Sequence, residues 1–281
     1  MKAARRAVRK DPANRMLLVF LAVALLVSAF PFFYLLSTSL RPRSEIFHYP
    51  PTWLPQTWAW SNFKDIWTTV PLMRYLLNSI LVAGGATVLN LAVAIPAGYA
   101  LARLRFPGRN LFRQVLLVTQ MFSPVVLIIG LFRLVTGWGL IDQPIVLVVT
   151  YAALTVAFSV SFLAGYFSSI PEEIEEAAMV DGCSRITALF RVVLPMAMPA
   201  VVTATVFTFI TAWNDFMIAL TFVSSPDNRT LPLGLYSFLG QYTVQWHYLM
   251  AASLVTIVPV VALFLLIEKH LVRGLTAGAV K

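Results

Sequence analysis

The sequence predicts an all-α integral membrane protein with six transmembrane helices and both chain ends on the cytosolic side. Three observations carry that prediction. Of 281 residues, 59% are hydrophobic and 12% charged, with a mean hydropathy of +0.80, far from the balance of a soluble domain. Apolar runs near the roughly 20 residues that cross a hydrocarbon core recur along the chain. Lysine and arginine gather in alternate connections, which sets the orientation.

In order, residues 1–15 form a basic cytosolic segment with Lys2, Arg5, Arg6, Arg9, Lys10 and Arg15. A membrane domain follows over 16–273, with spans at 16–36, 76–101, 111–131, 145–167, 199–223 and 249–267. The first run is too long for a signal-peptide core and reads as an uncleaved anchor. Arg103, Arg105, Arg109 and Arg113 fall between spans two and three, and Arg185 and Arg191 after span four. Lys269, Arg273 and Lys281 follow span six, so these basic residues share one side. The other side holds Arg41, Arg43, Lys64, Arg74, Arg133 and Arg229, mostly in one long loop whose charges count for less.

The net charge of +9 is spread over membrane-flanking loops, which argues against a nucleic-acid partner. Cys183 is the only cysteine, so no intrachain disulfide exists. His48, His247 and His270 lack metal-site spacing. No clustered carboxylates or nucleophile elbow point to an enzyme. No G-x-x-x-x-G-K-[ST] loop occurs either, so any nucleotide is held by another chain.

The most informative segment is a cytosolic elbow over 169–195. Ser169 and Glu172 have capping-box spacing, and Pro171 suits a first turn. Glu172, Glu173, Glu175 and Glu176 crowd the helix start, where the dipole favours negative charge. Gly182 is placed to end that helix. Ser184 can cap a second one, whose apolar residues Ile186, Leu189, Phe190 and Val193 continue to Pro195. A solvated loop accounts for the glutamates. It leaves unexplained the small residues at the turn, which would let a foreign surface approach the backbone.

The run Glu176-Ala177-Ala178, then Gly182, then Val192-x-Leu194-Pro195 resembles the EAA signature of bacterial ATP-binding cassette importer permeases, with Val192 in place of the usual isoleucine. Further stretches are similar to the carbohydrate subfamily and its six-span second permease, as in the maltose transporter. They include Arg74-Tyr75-Leu76-Leu77-Asn78-Ser79, Ala97-Gly98-Tyr99-Ala100-Leu101-Ala102-Arg103, Ala212-Trp213-Asn214-Asp215-Phe216, Arg229-Thr230-Leu231-Pro232 and 273–281.

The resemblance implies that the elbow is a coupling helix seated on a cytosolic ATPase, with Glu175, Glu176, Ala177, Ala178, Asp181, Gly182 and Ser184 at that contact. It implies that the cytosolic tail 274–281 reaches between the ATPases through Gly274, Leu275, Thr276 and Gly278; fraying is the plainer account of that tail. It also implies a second homologous permease, two ATPase subunits holding ATP and Mg, an extracytoplasmic substrate-binding protein, and a bacterial inner or cytoplasmic membrane location. This chain itself is expected to hold no cofactor.

Two regions are candidates for transport. In span five Thr208, Thr211 and Asp215 have spacings of three and four, predicting a polar stripe flanked by Trp213 and Asn214. Ionisable residues inside spans are costly and read as functional, although an interhelical hydrogen-bond network is an equal alternative. Asn90 with Pro96, and Gln120 with Ser123 and Pro124, are further candidates for pathway or kink positions, with packing the favoured reading. The tryptophan-bearing outer loop from Pro42 to Met73 reads as an interfacial anchor. By the resemblance, the loop from Ser224 to Tyr248 presents Leu231, Pro232, Tyr236, Gln241 and Tyr242 to the binding protein; an interfacial hairpin is its competing reading. The expected function is a non-catalytic permease subunit of an ATP-driven importer for a sugar or oligosaccharide, with glycerol phosphate esters as another substrate class. The alternative is an ATP-independent secondary transporter or channel.

Overall fold

A computed structural model describes the backbone of residues 12–50, 52–240 and 242–277, and side chains between Met16 and Leu266. Among the described residues the regular structure is helical, with one isolated bridge between Leu239 and Val244. They form two units, one within Met1–Ile66 and Phe238–Leu254, the other within Trp67–Ser237 and Val255–Lys281.

In the first unit, α1 (Pro12–Ser39) is apolar on every side, and its apolar window is wholly unburied. The helix α2 (Arg43–Ile46) follows, and α3 (Asn62–Thr69) begins here. The loop between them is tied by side chains to backbone. Asn62 Nδ2 donates to the carbonyls of Ser39 at 2.8 Å and Arg41 at 2.9 Å. Ser37 donates to Trp53 O at 2.7 Å. Glu45 accepts from the amides of Gln56 and Thr57 at 3.0 and 2.9 Å. Burial pushes this carboxyl up, but the amide bonds outweigh it and hold it below its ordinary value.

The second unit is built on α4 (Leu72–Arg103), α5 (Arg109–Thr119), α6 (Pro124–Gly137) and α7 (Pro144–Ser169). The two long members, α4 and α7, approach through small residues. A Cβ on Gly98 would lie 3.0 Å from Leu163 Cβ and 3.2 Å from Val160 O, and Ala94, Ala157 and Ala164 are buried nearby in the same core. Asn90 Nδ2 crosses this contact to Thr155 Oγ1 at 2.8 Å, so Asn90 is a packing residue.

Next come α8 (Glu172–Val180), α9 (Arg185–Ala188), a π-helical turn (Leu189–Val193), α10 (Leu194–Met196), α11 (Met198–Asn214), α12 (Met217–Phe222) and α13 (Leu231–Leu235). The last helix is α14 (Trp246–Ala277). Its backbone takes in Gly274, Leu275 and Thr276, so helix continues past the predicted boundary at 273. Gly278 lies outside the described residues.

Two predicted spans are not continuous helices. Span three is broken between α5 and α6 with a bend of 100°. Pro124 opens α6, and a residue before proline is pushed out of the helical region; Ser123 accordingly has ψ 131. Span five is interrupted at Asp215, which has φ −72 and ψ 134. Among the described residues four helices are individually long and apolar enough to cross a membrane, or up to six if two bent pairs each count once: α5 with α6, and Arg185–Met196 with α11, which meet at 81°.

Candidate functional site

The elbow begins with α8, entered through an extended link in which Ile170 has ψ 130 and Pro171 ψ 134. The predicted capping box does not form: Ser169 Oγ donates instead to Tyr166 O at 2.7 Å. Pro171 at the N-cap position makes no side-chain bond to the helix. The other end agrees with the sequence. Gly182 has φ 92, a conformation open to glycine at no steric cost, and its amide reaches Met179 O at 3.1 Å. Ser184 Oγ accepts from Thr187 N at 3.2 Å and caps α9.

The second limb is less regular than its apolar spacing predicted. Leu194 N donates to Leu189 O, five residues back. Pro195 cannot donate, and its ring crowds the carbonyl four residues earlier, which a widened turn relieves. Leu189 and Val193 are buried in the core formed by α4, α7 and α11, whereas Ile186 and Phe190 are exposed. Thus one edge of this limb is anchored and the other is open.

On the first limb Glu176, Ala177, Asp181, Gly182 and Ser184 are exposed and Ala178 half-buried. Glu175 is not available at this surface, contrary to its place among the expected ATPase contacts. It is only 5% exposed because it turns inward to α4: the Tyr99 hydroxyl donates to Glu175 Oε1, and Arg103 Nε donates to Oε2 at 3.1 Å. Periodicity alone does not reveal this, since every glutamate of the run reads as solvated. Tyr99 and Arg103, four residues apart on one helix face, were the available signal.

The polar stripe expected in span five is also rearranged. Thr208 is buried and its hydroxyl has no hydrogen-bond partner among the described residues, while Thr211 and Asn214 are exposed. Asp215 leaves the helix. Its Oδ1 accepts from Tyr151 Oη at 2.9 Å, Ile218 N at 2.9 Å and Ala219 N at 3.4 Å. The carboxylate therefore satisfies the open amides at the start of α12. A cavity of about 690 Å³ lies in the bend between α5 and α6, against Phe158 of α7 and Phe207 of α11. None of Thr208, Thr211, Asn214 and Asp215 lines it.

Residues 94–277, which contain the elbow, match the family described as binding-protein-dependent transport system inner membrane component. The chain belongs to this family. It is 40% identical to the inner membrane ABC transporter permease protein YcjP of Escherichia coli, covering 93% of this chain and 94% of that one. Identity is 37% with the sulfoquinovosyl glycerol transport system permease protein SmoH of Agrobacterium fabrum, over 93% of each. With the trehalose/maltose transport system permease protein MalG of Thermococcus litoralis it is 33%, over 98% and 99%. The fold resembles a chain of a bacterial ABC transporter involved in the import of alginate, with a TM-score of 0.81, 22% identity and coverage of 94% and 99%. The protein is thus an integral inner membrane permease of an ABC importer. Such permeases are non-catalytic, and the ATPase is a separate subunit. The ATP-independent carrier is set aside.

In the permease, the first part of the loop expected to meet a binding protein, from Asp227 to Gly234, is clamped to α4 within its own unit. Leu231 is 0% exposed, and its amide donates to Ser79 Oγ at 2.7 Å; it is no surface contact. Asn78 Nδ2 donates to the carbonyls of Asp227 and Arg229 at 2.8 and 3.0 Å. A Cβ on Gly234 would lie 2.1 Å from Tyr75 Cδ2, so only glycine fits against that ring. Pro232 is half-buried, Tyr236 exposed and Tyr242 exposed. Gln241 lies outside the described residues.

Asp142 is a clamp that the sequence did not single out. With φ 65, its carboxylate accepts from the amides of Ser224 and Ser225 at 3.0 and 2.9 Å. Burial raises its pKa, but the bonds from Ser225, Ser224 and Asn228 prevail and hold it below its ordinary value.

Proposed function

We propose that this permease is a multi-pass subunit that imports a sugar or oligosaccharide, paired with a second homologous permease and served by two cytosolic ATPase subunits. Six crossings with both termini cytosolic place the elbow on the ATPase side, in keeping with the lysine and arginine distribution. An extracytoplasmic binding protein delivers the substrate. The partner ATPases hold ATP and Mg.

The observation that carries this reading is the exposed turn of the elbow, where Glu176, Ala177, Asp181 and Gly182 face outward beside an anchored second limb. Small residues allow close seating, and acids pair with a basic cleft. Closure of the ATPases displaces the elbow, and the helices packed on it switch the pathway between its two openings. The named substrates of the relatives support a glycan cargo. Asn214, Asp215 and Thr211 are pathway candidates, Tyr236 and Tyr242 are the aromatic faces offered to the binding protein, and Gly274, Leu275, Thr276 and Gly278 contact the ATPases.

Cys183, half-buried beside Gly182, provides the test. A membrane-impermeant maleimide is expected to label it in inverted vesicles and not in right-side-out ones, and purified ATPase subunits are expected to block the reaction. Labelling from outside the cell, or labelling that the ATPase leaves unchanged, refutes the reading. Ligand screening of the cognate binding protein with mono- and oligosaccharides identifies the cargo.

A further inference from the structure

The nine-residue helix α8 hangs between two non-helical joints. One is the extended Ile170–Pro171 link, the other the left-handed turn at Gly182. A segment held only at such joints can swivel when pushed. A force applied to its outer face would then be lost in rotation about the joints.

Besides the packing of Ile174 against the core, one polar cluster opposes that rotation. Arg103, whose side chain is 5% exposed, donates through Nη2 to Ile170 O at 2.7 Å and through Nε to Glu175 Oε2 at 3.1 Å. Its Nη1 lies 3.7 Å from Glu172 Oε1. The Tyr99 hydroxyl takes the other oxygen of Glu175, and its ring packs edge-on to Phe167 at 6.2 Å. The planar guanidinium thus reaches the joint and two successive turns of α8 in fixed directions, which a flexible ammonium would not do. Tyr99 and Arg103 stand on α4, at the end where Gly98 brings α4 into backbone contact with α7. Closely packed helices of this kind move as a unit rather than deform.

We infer that Tyr99, Arg103 and Glu175 form a bracket that locks α8 to α4, so that displacement of the elbow is delivered to the α4–α7 pair as well as along the second limb to α11. The three are positioning residues of energy coupling, and Glu175 acts by facing inward while Glu176 faces the partner. This inference rests on the elbow's being the ATPase contact.

The test uses the transporter purified with its ATPase subunits. Spin labels are placed at Glu173→Cys on α8 and Val88→Cys on α4 in a Cys183→Ser background, and the distance is measured without nucleotide and with ATP plus vanadate. With the bracket intact, one narrow distance is expected in both states. With Glu175→Gln the ATPase still co-purifies, but the distance shifts or broadens in the trapped state, and transport per ATP falls by about fivefold or more, the lower range of coupling effects. Tyr99→Phe, which keeps the ring, tests the same point should the Glu175→Gln permease itself fail to fold and insert into the membrane.

A distance that changes on trapping in the unsubstituted bracket, or that both variants leave narrow and constant, overturns the inference while retained ATPase leaves the functional reading standing. Loss of ATPase co-purification in Glu175→Gln makes Glu175 a docking contact and also overturns it. Failure of the unsubstituted transporter to hold any ATPase overturns the functional reading itself.

Discussion

Single residues set the tolerances of this permease. Gly182 has φ 92, and a Cβ there would meet nothing within 4 Å, so its requirement is conformational rather than steric. Gly182→Ala is expected to cost about 1–2 kcal/mol in the turn and to reduce ATPase co-purification roughly tenfold, with membrane insertion unchanged. Gly234 is the opposite case. Its Cβ would collide with the buried Tyr75 ring at 2.1 Å, and Gly234→Ala is expected to cost about 1–3 kcal/mol through overpacking. Thermal unfolding in detergent reads the loss. The pair Gly234→Ala with Tyr75→Ala is expected to be less destabilised than the two single changes added together, because they share one contact. Gly182 is legible in the sequence because a turn between two helices requires such a residue. Gly234 is not, because its constraint is a ring on α4.

At the scale of elements, the breaks in the helices matter more than the helices. Asp215 spends its acceptor capacity on the amides of Ile218 and Ala219 and on the Tyr151 hydroxyl. Asp215→Ala is expected to destabilise α12 by about 1 kcal/mol, as for a lost cap, and to speed hydrogen exchange at Ile218 and Ala219. Asp215→Asn keeps an acceptor and is expected to preserve that protection. If Asn preserves the exchange pattern and transport still collapses, the charge serves the pathway as well as the helix start. The second limb shows a related effect: a smooth apolar period through Ile186, Leu189, Phe190 and Val193 becomes one short helix and a π turn ahead of Pro195. Period predicts where helix is possible, while proline decides where its hydrogen bonds must be rerouted.

Across the whole molecule, two clamped carboxylates tie loops within their own units, Glu45 in the first and Asp142 in the second. Both have folded-state pKa values depressed below the ordinary ones, 4.5 for Glu45 and 3.8 for Asp142. Their contribution is therefore fully present above those ordinary values and is lost as pH falls through the depressed ones. The melting temperature is expected to decline over that acidic window and to decline less steeply in Asp142→Asn, which has no charge to lose. Both groups are close to solvent, so added salt is expected to shrink the difference.

The sequence by itself determined the membrane character, the approximate positions of the apolar segments, the acidic elbow with its glycine turn and serine cap, and the family resemblance. These are properties of composition and of neighbours within a few residues. Only the tertiary structure decided that spans three and five are broken, that Glu175 turns inward, and that Leu231 is buried. The partners responsible lie far away along the chain: Tyr99 and Arg103 are 76 and 72 residues from Glu175, and Ser79 is 152 from Leu231. A hydrogen bond or ion pair depends on distance in space, and a local pattern holds no information about which remote group will fold back to meet it.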